Sequence, residues 1–158
     1  MKSIERILVL HDIRSAQNVG SLFRTADAAG ISKVYLSSIT AKPIDRFGRP
    51  VGAIAKTALG AERSVSWEAY EDIGELISRL KQEGVYVVAI EQSSRSVDYK
   101  AVMIDGSVAF ILGNEVEGIP SEVLNLTDVV VEIPMQGTKE SLNVAVAGGI
   151  ALFRMLNL

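Results

Sequence analysis

The sequence predicts an α/β fold, a mostly parallel sheet of six strands flanked by helices, on three observations. Short β-branched runs alternate with helical patterns along the whole chain. The runs are apolar on both faces, as strands covered by helices on both sides must be. No linker, low-complexity tract or internal repeat breaks the alternation, so the 158 residues, 48% of them hydrophobic, are expected to form one domain, 1–158, with a core of its own.

The elements follow in order. RILVLH (6–11) reads as the first strand and NVGSLFRTADAAG (18–30) as its helix. KVYLSS (33–38) is the second strand, with VGAIAKTAL (51–59) helical after it. SVSW (64–67) reads as a third strand and EAYEDIGELISRLKQEG (68–84) as a long amphipathic helix. VYVVAI (85–90) and SVAFILG (107–113) are continuous apolar runs, the fourth and fifth strands, and PSEVLNL (120–126) is helical. DVVVEI (128–133) is the sixth strand. SLNVAVAGGIALFRML (141–156) closes the chain as a helix that is polar only at its start and otherwise small and apolar, with Ser141 or Thr138 able to cap it.

Composition excludes several functions. Without cysteine there is no disulfide, thiolate zinc site or cysteine nucleophile, which fits a reducing compartment, and a cytoplasmic protein is expected. The N-terminus has charges on both sides of a short apolar run and lacks the pattern of a signal peptide. No run approaches the roughly 20 apolar residues that span a bilayer, so no membrane association is predicted. The only histidine, His11, is without a G-x-S-x-G elbow elsewhere, and one His with no Cys makes a transition-metal site improbable. Neither a G-x-G-x-x-G dinucleotide fingerprint nor a P-loop is present.

The net charge of −3 is unevenly spread. Between Lys33 and Arg63 six basic residues stand against Asp45 and Glu62, a balance of plus four, leaving minus seven for the rest. Such a stretch is either a solvated loop or a phosphate-facing patch. Phe47 is the only ring inside it, so single-strand stacking platforms are not predicted, and a shaped, folded RNA is the better expectation.

Ligands of open α/β sheets bind outside the carboxyl ends of the strands, and three segments there are unusually polar. They are HDIRSAQNVG after the first strand, GNEVEGIP after the fifth and PMQGTKESLN after the sixth. Asn18 and Arg24 are six positions apart; at roughly 100° per residue they leave a helix on different sides. Asn18 therefore reads as a cap or loop-orienting amide, with Arg24 projecting from the second turn. Gly113 and Gly118 permit turns that bring main chain against a ligand, with Asn114 and Glu115 at the tip.

Taken together, N-V-G-S-L-F-R-T-A-D-A-A-G (18–30), I-L-G-N-E-V-E-G-I-P (111–120) and I-P-M-Q-G-T-K-E-S-L-N-V-A-V-A (133–147) resemble, in order and spacing, the three motifs of the SpoU (TrmH-like) family of RNA ribose 2'-O-methyltransferases of the SPOUT superfamily. The resemblance spans essentially the whole chain and matches that family's bare catalytic domain. It implies a C-terminal trefoil knot, which no periodicity reveals, S-adenosylmethionine as cofactor, tRNA or rRNA as substrate, and a homodimer with the active site near the subunit interface. It further implies Arg24, Asn18 and Glu115 as catalytic residues, with Arg24 on the phosphate or ribose of the target nucleotide. Cofactor contacts fall to Leu112, Gly113, Ile133, Met135, Ser141, Leu142 and Asn143, and RNA contacts to Arg14, Lys42, Arg46, Arg49 and Lys56. The rivals are a noncatalytic RNA-binding relative of the same fold and an α/β small-ligand binding protein.

Overall fold

The computed structural model describes residues 2–158. Seven strands form one sheet: β1 (Arg6–His11), β2 (Lys33–Ser37), β3 (Trp67–Tyr70), β4 (Tyr86–Ile90), β5 (Val97–Asp98), β6 (Val108–Leu112) and β7 (Val129–Glu132). Their order is β3-β2-β1-β6-β4-β7-β5, and every pairing is parallel. The helices are α1 (Ala16–Ala28), α2 (Gly52–Ala58), α3 (Ala61–Ser64), α4 (Ile73–Gln82), α5 (Ser121–Leu124) and α6 (Val144–Met155), with a 3-10 turn at Tyr99–Ala101.

Alternation along the central strands divides the core in two. Leu8 and Leu10 of β1 pack with Phe23, Phe110 and Leu152 on the face covered by α1, α2 and α6. Ile7 and Val9 pack with Leu76, Leu80, Ile111 and Val123 on the face covered by α4 and α5. The small residues of α6 have a steric reason: a Cβ on Gly148 would lie 2.7 Å from Leu22 of α1 and 2.8 Å from Leu112 of β6. That glycine lets the last helix settle directly over the end of β6.

The structure corrects the sequence in four places. The sheet has seven strands, not six, because β5 is a two-residue edge strand held on β7 through Val97 and Asp98, too short to leave an apolar run. The third strand lies three residues later than SVSW, at Trp67–Tyr70, where it pairs with Val34–Ser37; as an edge it tolerates polar residues. The helix expected from Glu68 starts at Ile73 instead, with Asp72 accepting a hydrogen bond from the Glu75 N–H (3.1 Å). Finally, the cap of α6 differs from those expected and that of α1 is decided. Ser15 caps α1, accepting from the Asn18 N–H (3.2 Å), so of the two readings of Asn18 the loop-orienting amide fits and the cap does not; Asn143 rather than Ser141 or Thr138 caps α6, accepting from Ala145 and Val146.

Candidate active site

The strand order brings β6, β4 and β7 side by side although β5 and long connections separate them in sequence. Their carboxyl ends, with the segment leading into α6, enclose a cleft of about 300 Å³. Six of the seven residues expected on the cofactor line it: Leu112, Gly113, Ile133, Met135, Ser141 and Leu142. Asn143 lies outside, on a neighbouring groove shared with Asn18, Ser21 and Thr25. Ile90 at the end of β4, and Glu91 and Gln92 just after it, line the cleft as well and were missed. The polar pair Glu91–Gln92 directly after an apolar strand was the signal that could have found them.

Two carboxylates shape the walls. Glu91 follows β4 and accepts from the Ile119 N–H (2.9 Å) through Oε2 and from the Gln92 N–H (2.9 Å) through Oε1. Gly118 takes φ +69°, and any Cβ there would run into the Glu91 carboxylate. Gln92 donates to the Glu140 carbonyl (2.7 Å), tying the end of β4 to the segment before α6.

Glu115 crosses from the second motif to the first. Its Oε2 accepts from the Arg14 N–H (3.1 Å), and its Oε1 accepts from the Ser15 N–H (3.0 Å) and the Asn18 side-chain amide (3.3 Å). Burial alone pushes this carboxyl's pKa up, but the Ser15, Glu115 and Arg14 N–H groups and the Asn18 amide together hold it below the ordinary value. Asn18 also accepts from Asn143 Nδ2 (3.2 Å), so one amide joins all three motif segments. Asn114, buried beside them, accepts from the Val116 and Glu117 N–H groups (2.9 Å each) and donates to the Asp12 carbonyl (2.9 Å). Asp12 sits at φ 58°, a conformation that costs energy for a non-glycine residue and that Asn114 helps to hold.

Arg24 is exposed on α1 and makes no hydrogen bond or ion pair with the described residues; it is absent from the cleft lining. Arg14 borders a shallow depression with Ser15, Asn18 and Glu115. Lys42, Arg46, Arg49 and Lys56 are exposed on α2 and the loop before it. His11 lies apart from the cleft lining, with Nδ1 2.9 Å from Ser37 Oγ; burial lowers its pKa against the pull of Asp12 and Glu122. Among the described residues no cluster of His, Asp or Glu side chains is placed to hold a metal ion, and no helix is long and apolar enough to cross a membrane.

A parallel sheet covered on both faces, with a cleft at the carboxyl ends of three adjacent strands, defines an α/β domain whose cleft is walled by the end of β4 and by segments of the second and third motifs. The family follows from comparison: the model of the SpoU rRNA Methylase family matches residues 5–153, and the chain belongs to that family. It is 34% identical over 147 residues to the 23S rRNA (guanosine-2'-O-)-methyltransferase RlmB of Ralstonia nicotianae, a match covering 93% of this chain and 56% of that enzyme. The chain thus spans little more than half the length of that relative. The structure of an AdoMet-bound rRNA methyltransferase from Sinorhizobium meliloti superposes with a TM-score of 0.85 at 30% identity, covering 97% of this chain and 56% of that one. A structure concerned with the 2-OH methylation of C/U34 on tRNA matches 98% of this chain and 97% of its own, with 27% identity and a TM-score of 0.76.

Proposed function

We propose that the chain is an S-adenosylmethionine-dependent methyltransferase that modifies a ribose 2'-hydroxyl of tRNA or rRNA. The observation that carries the reading is the convergence of six expected cofactor residues on one cleft at the ends of β6 and β7. The lining suits the ligand. Leu112, Ile133, Met135 and Leu142 give apolar walls for a purine, and Glu117, Glu132 and Glu140 give the negative charge that a sulfonium and an ammonium favour. When bound, S-adenosylmethionine supplies a methyl group made electrophilic by its sulfonium.

The protein's own residues position and polarise. A guanidinium is a poor general base, so Arg24 acts through its planar fork, which grips phosphate and stabilises charge developing on the ribose oxygen. Asn18 and Glu115 act by holding the first and second motifs in place. Glu115 is a poor proton acceptor at this position, since Arg14, Ser15 and Asn18 already engage both of its oxygens and its proton affinity is lowered. Asn143 fixes the start of α6, so that Ser141 and Leu142 face the cleft. Arg14, Lys42, Arg46, Arg49 and Lys56 meet RNA phosphates.

The same reading includes a trefoil knot, supported by β7 entering the sheet between β4 and β5, strands consecutive in the chain. It includes a homodimer, supported by Val146, Ile150 and Phe153, which line up on α6 and stand exposed at 50, 39 and 38%. A sedimentation experiment showing only monomer at micromolar concentration would remove the dimer. The protein is expected to work in the cytoplasm, where its RNA substrates are.

Two measurements test the activity. Titration calorimetry with S-adenosylmethionine is expected to show binding that substitution at Leu112 or Met135 weakens. Ribose methylation mapped in total RNA, from cells with and without the protein, is expected to lose at least one site. Binding without any lost site would leave the noncatalytic relative, and no binding would leave an unrelated ligand.

A further inference from the structure

The loop between β2 and α2 carries exposed chemistry that the cleft does not use. Ile44 and Pro50 form an antiparallel bridge at its base. Asp45 organises the tip: Oδ1 accepts from the N–H groups of Phe47 (2.8 Å) and Arg49 (3.0 Å), and Oδ2 accepts from Arg49 Nε (3.0 Å). Main-chain bonds from Asp45 N to Arg49 O (2.8 Å), Gly48 N to Asp45 O (3.0 Å) and Val51 N to Pro43 O (2.9 Å) complete it. The loop is therefore shaped by its backbone and one carboxylate. The Phe47 ring has no part in that.

Phe47 nevertheless stands 65% exposed and belongs to neither core cluster. The guanidinium carbons of Arg46 and Arg49 lie 4.7 and 4.9 Å from its ring centroid. An aromatic ring at the tip of a self-bonded loop, flanked by two cations, is matched to a partner that offers both a flat π face and negative charge. An unpaired nucleotide has both. An apolar protein partner would instead need a contiguous apolar patch, and the two arginines break one up.

We propose that Phe47 is a stacking platform for a single unpaired RNA base, which takes a ring face in place of a guanidinium, with Arg46 and Arg49 turning to hold the adjacent phosphates. The inference rests on the RNA-substrate reading above and sharpens it. One ring serves one base, so the feature sought is a loop or bulge nucleotide of a folded RNA rather than a long single strand. A single ring in the basic stretch was not expected to make a platform; the proposal departs from that because the ring sits at the tip of a hydrogen-bonded loop beside two guanidiniums.

The test uses the full chain and a pool of stem-loop RNAs randomised in the loop, beside the same stems closed into full duplexes, read by fluorescence anisotropy. Phe47→Leu is expected to weaken stem-loop binding by about 5- to 150-fold and leave duplex binding alone, the range of one lost base stack. Phe47→Trp should restore it. The salt dependence should stay unchanged in Phe47→Leu but lose about one unit of slope in Arg46→Ala. Melting curves matching wild type establish that the variants fold. Equal binding by Phe47→Leu, equal loss on both RNAs, or a changed oligomeric state would overturn the platform while the RNA reading stands. A wild-type chain that binds neither RNA would overturn both.

Discussion

Glu115→Gln tests the clasp between the first two motifs with almost no change of shape. The carboxylate accepts three bonds, from Arg14 N, Ser15 N and Asn18 Nδ2. A glutamine oxygen placed at Oε1 keeps Ser15 and Asn18 at neutral strength, but its NH2 then faces the Arg14 N–H, donor against donor. Charge-assisted bonds contribute about 1.5–3 kcal/mol and neutral ones about 1 kcal/mol, so a shielded site would lose about 3 kcal/mol. Glu115 is exposed, and solvent screening reduces this to about 1–2 kcal/mol. For a domain of this size that is a fall in Tm of roughly 2–8 °C. If the same ordering energy supports the cleft wall, S-adenosylmethionine affinity drops about 5- to 30-fold. The sign of the pH dependence is fixed by the lowered folded-state pKa. The carboxylate's contribution is complete above the unfolded value of about 4.3 and is lost as the pH falls toward the folded value, so wild-type and variant melting temperatures converge in acid. Thermal melts across pH and calorimetry read these outcomes. Unchanged Tm and affinity with methyl transfer abolished would refute the clasp and make Glu115 the proton acceptor.

Gly118→Ala forces a side chain into the left-handed region and against Glu91; a loss of about 2–3 kcal/mol in stability and weaker cofactor binding are expected from melts and calorimetry. A variant with wild-type affinity would separate Gly118 from the cleft. Asn143→Ala removes the α6 cap and the bond to Asn18, at a cost of about 1 kcal/mol, and should lower cofactor affinity even though Asn143 does not line the cleft. Asn143→Asp keeps the capping acceptor but not the amide donor, so its melting curve shows how much of the loss is capping. Arg24→Ala should leave both Tm and cofactor affinity at wild-type values, because no described residue depends on its guanidinium, while methyl transfer to RNA disappears in a radiolabelled transfer assay. Persisting transfer would remove Arg24 from the reaction.

Central strands and the cleft's two longest contributors were legible because their signals are local. RILVLH, VYVVAI and SVAFILG are apolar on both faces, and GNEVEGIP and PMQGTKESLN are polar beyond what a turn needs. Features decided by a neighbour were not legible. β5 exists only because β7 offers Val131 and Glu132 as partners, and β3 is placed by the register of Val34–Ser37 rather than by its own residues. The cap of α6 was misplaced and that of α1 left open for a related reason: Ser15, Asn18, Ser141 and Asn143 are all competent capping residues, and tertiary contacts choose among them. Glu91 was missed because its partner, Ile119, lies 28 residues away in a different loop.

Asn18 shows why one residue type is required at the meeting point of the motifs. Glu115, ionised and with its proton affinity lowered, can only accept, so the amide must turn Nδ2 toward it. That leaves Oδ1 facing Asn143. Asn143 has its own oxygen engaged by the Ala145 and Val146 N–H groups of α6, so it can offer only Nδ2, and Asn18 Oδ1 is the acceptor that Nδ2 meets. The helix cap, through the amide of Asn143, thus dictates which way Asn18 points, and Asn18 in turn delivers its donor to Glu115. Aspartate at position 18 would set two carboxylates together, and an aliphatic residue would leave both partners unanswered. Capping of the last helix and ordering of the second-motif loop are in this way one hydrogen-bonded chain, which couples the two walls of the cleft through a residue that lies in neither.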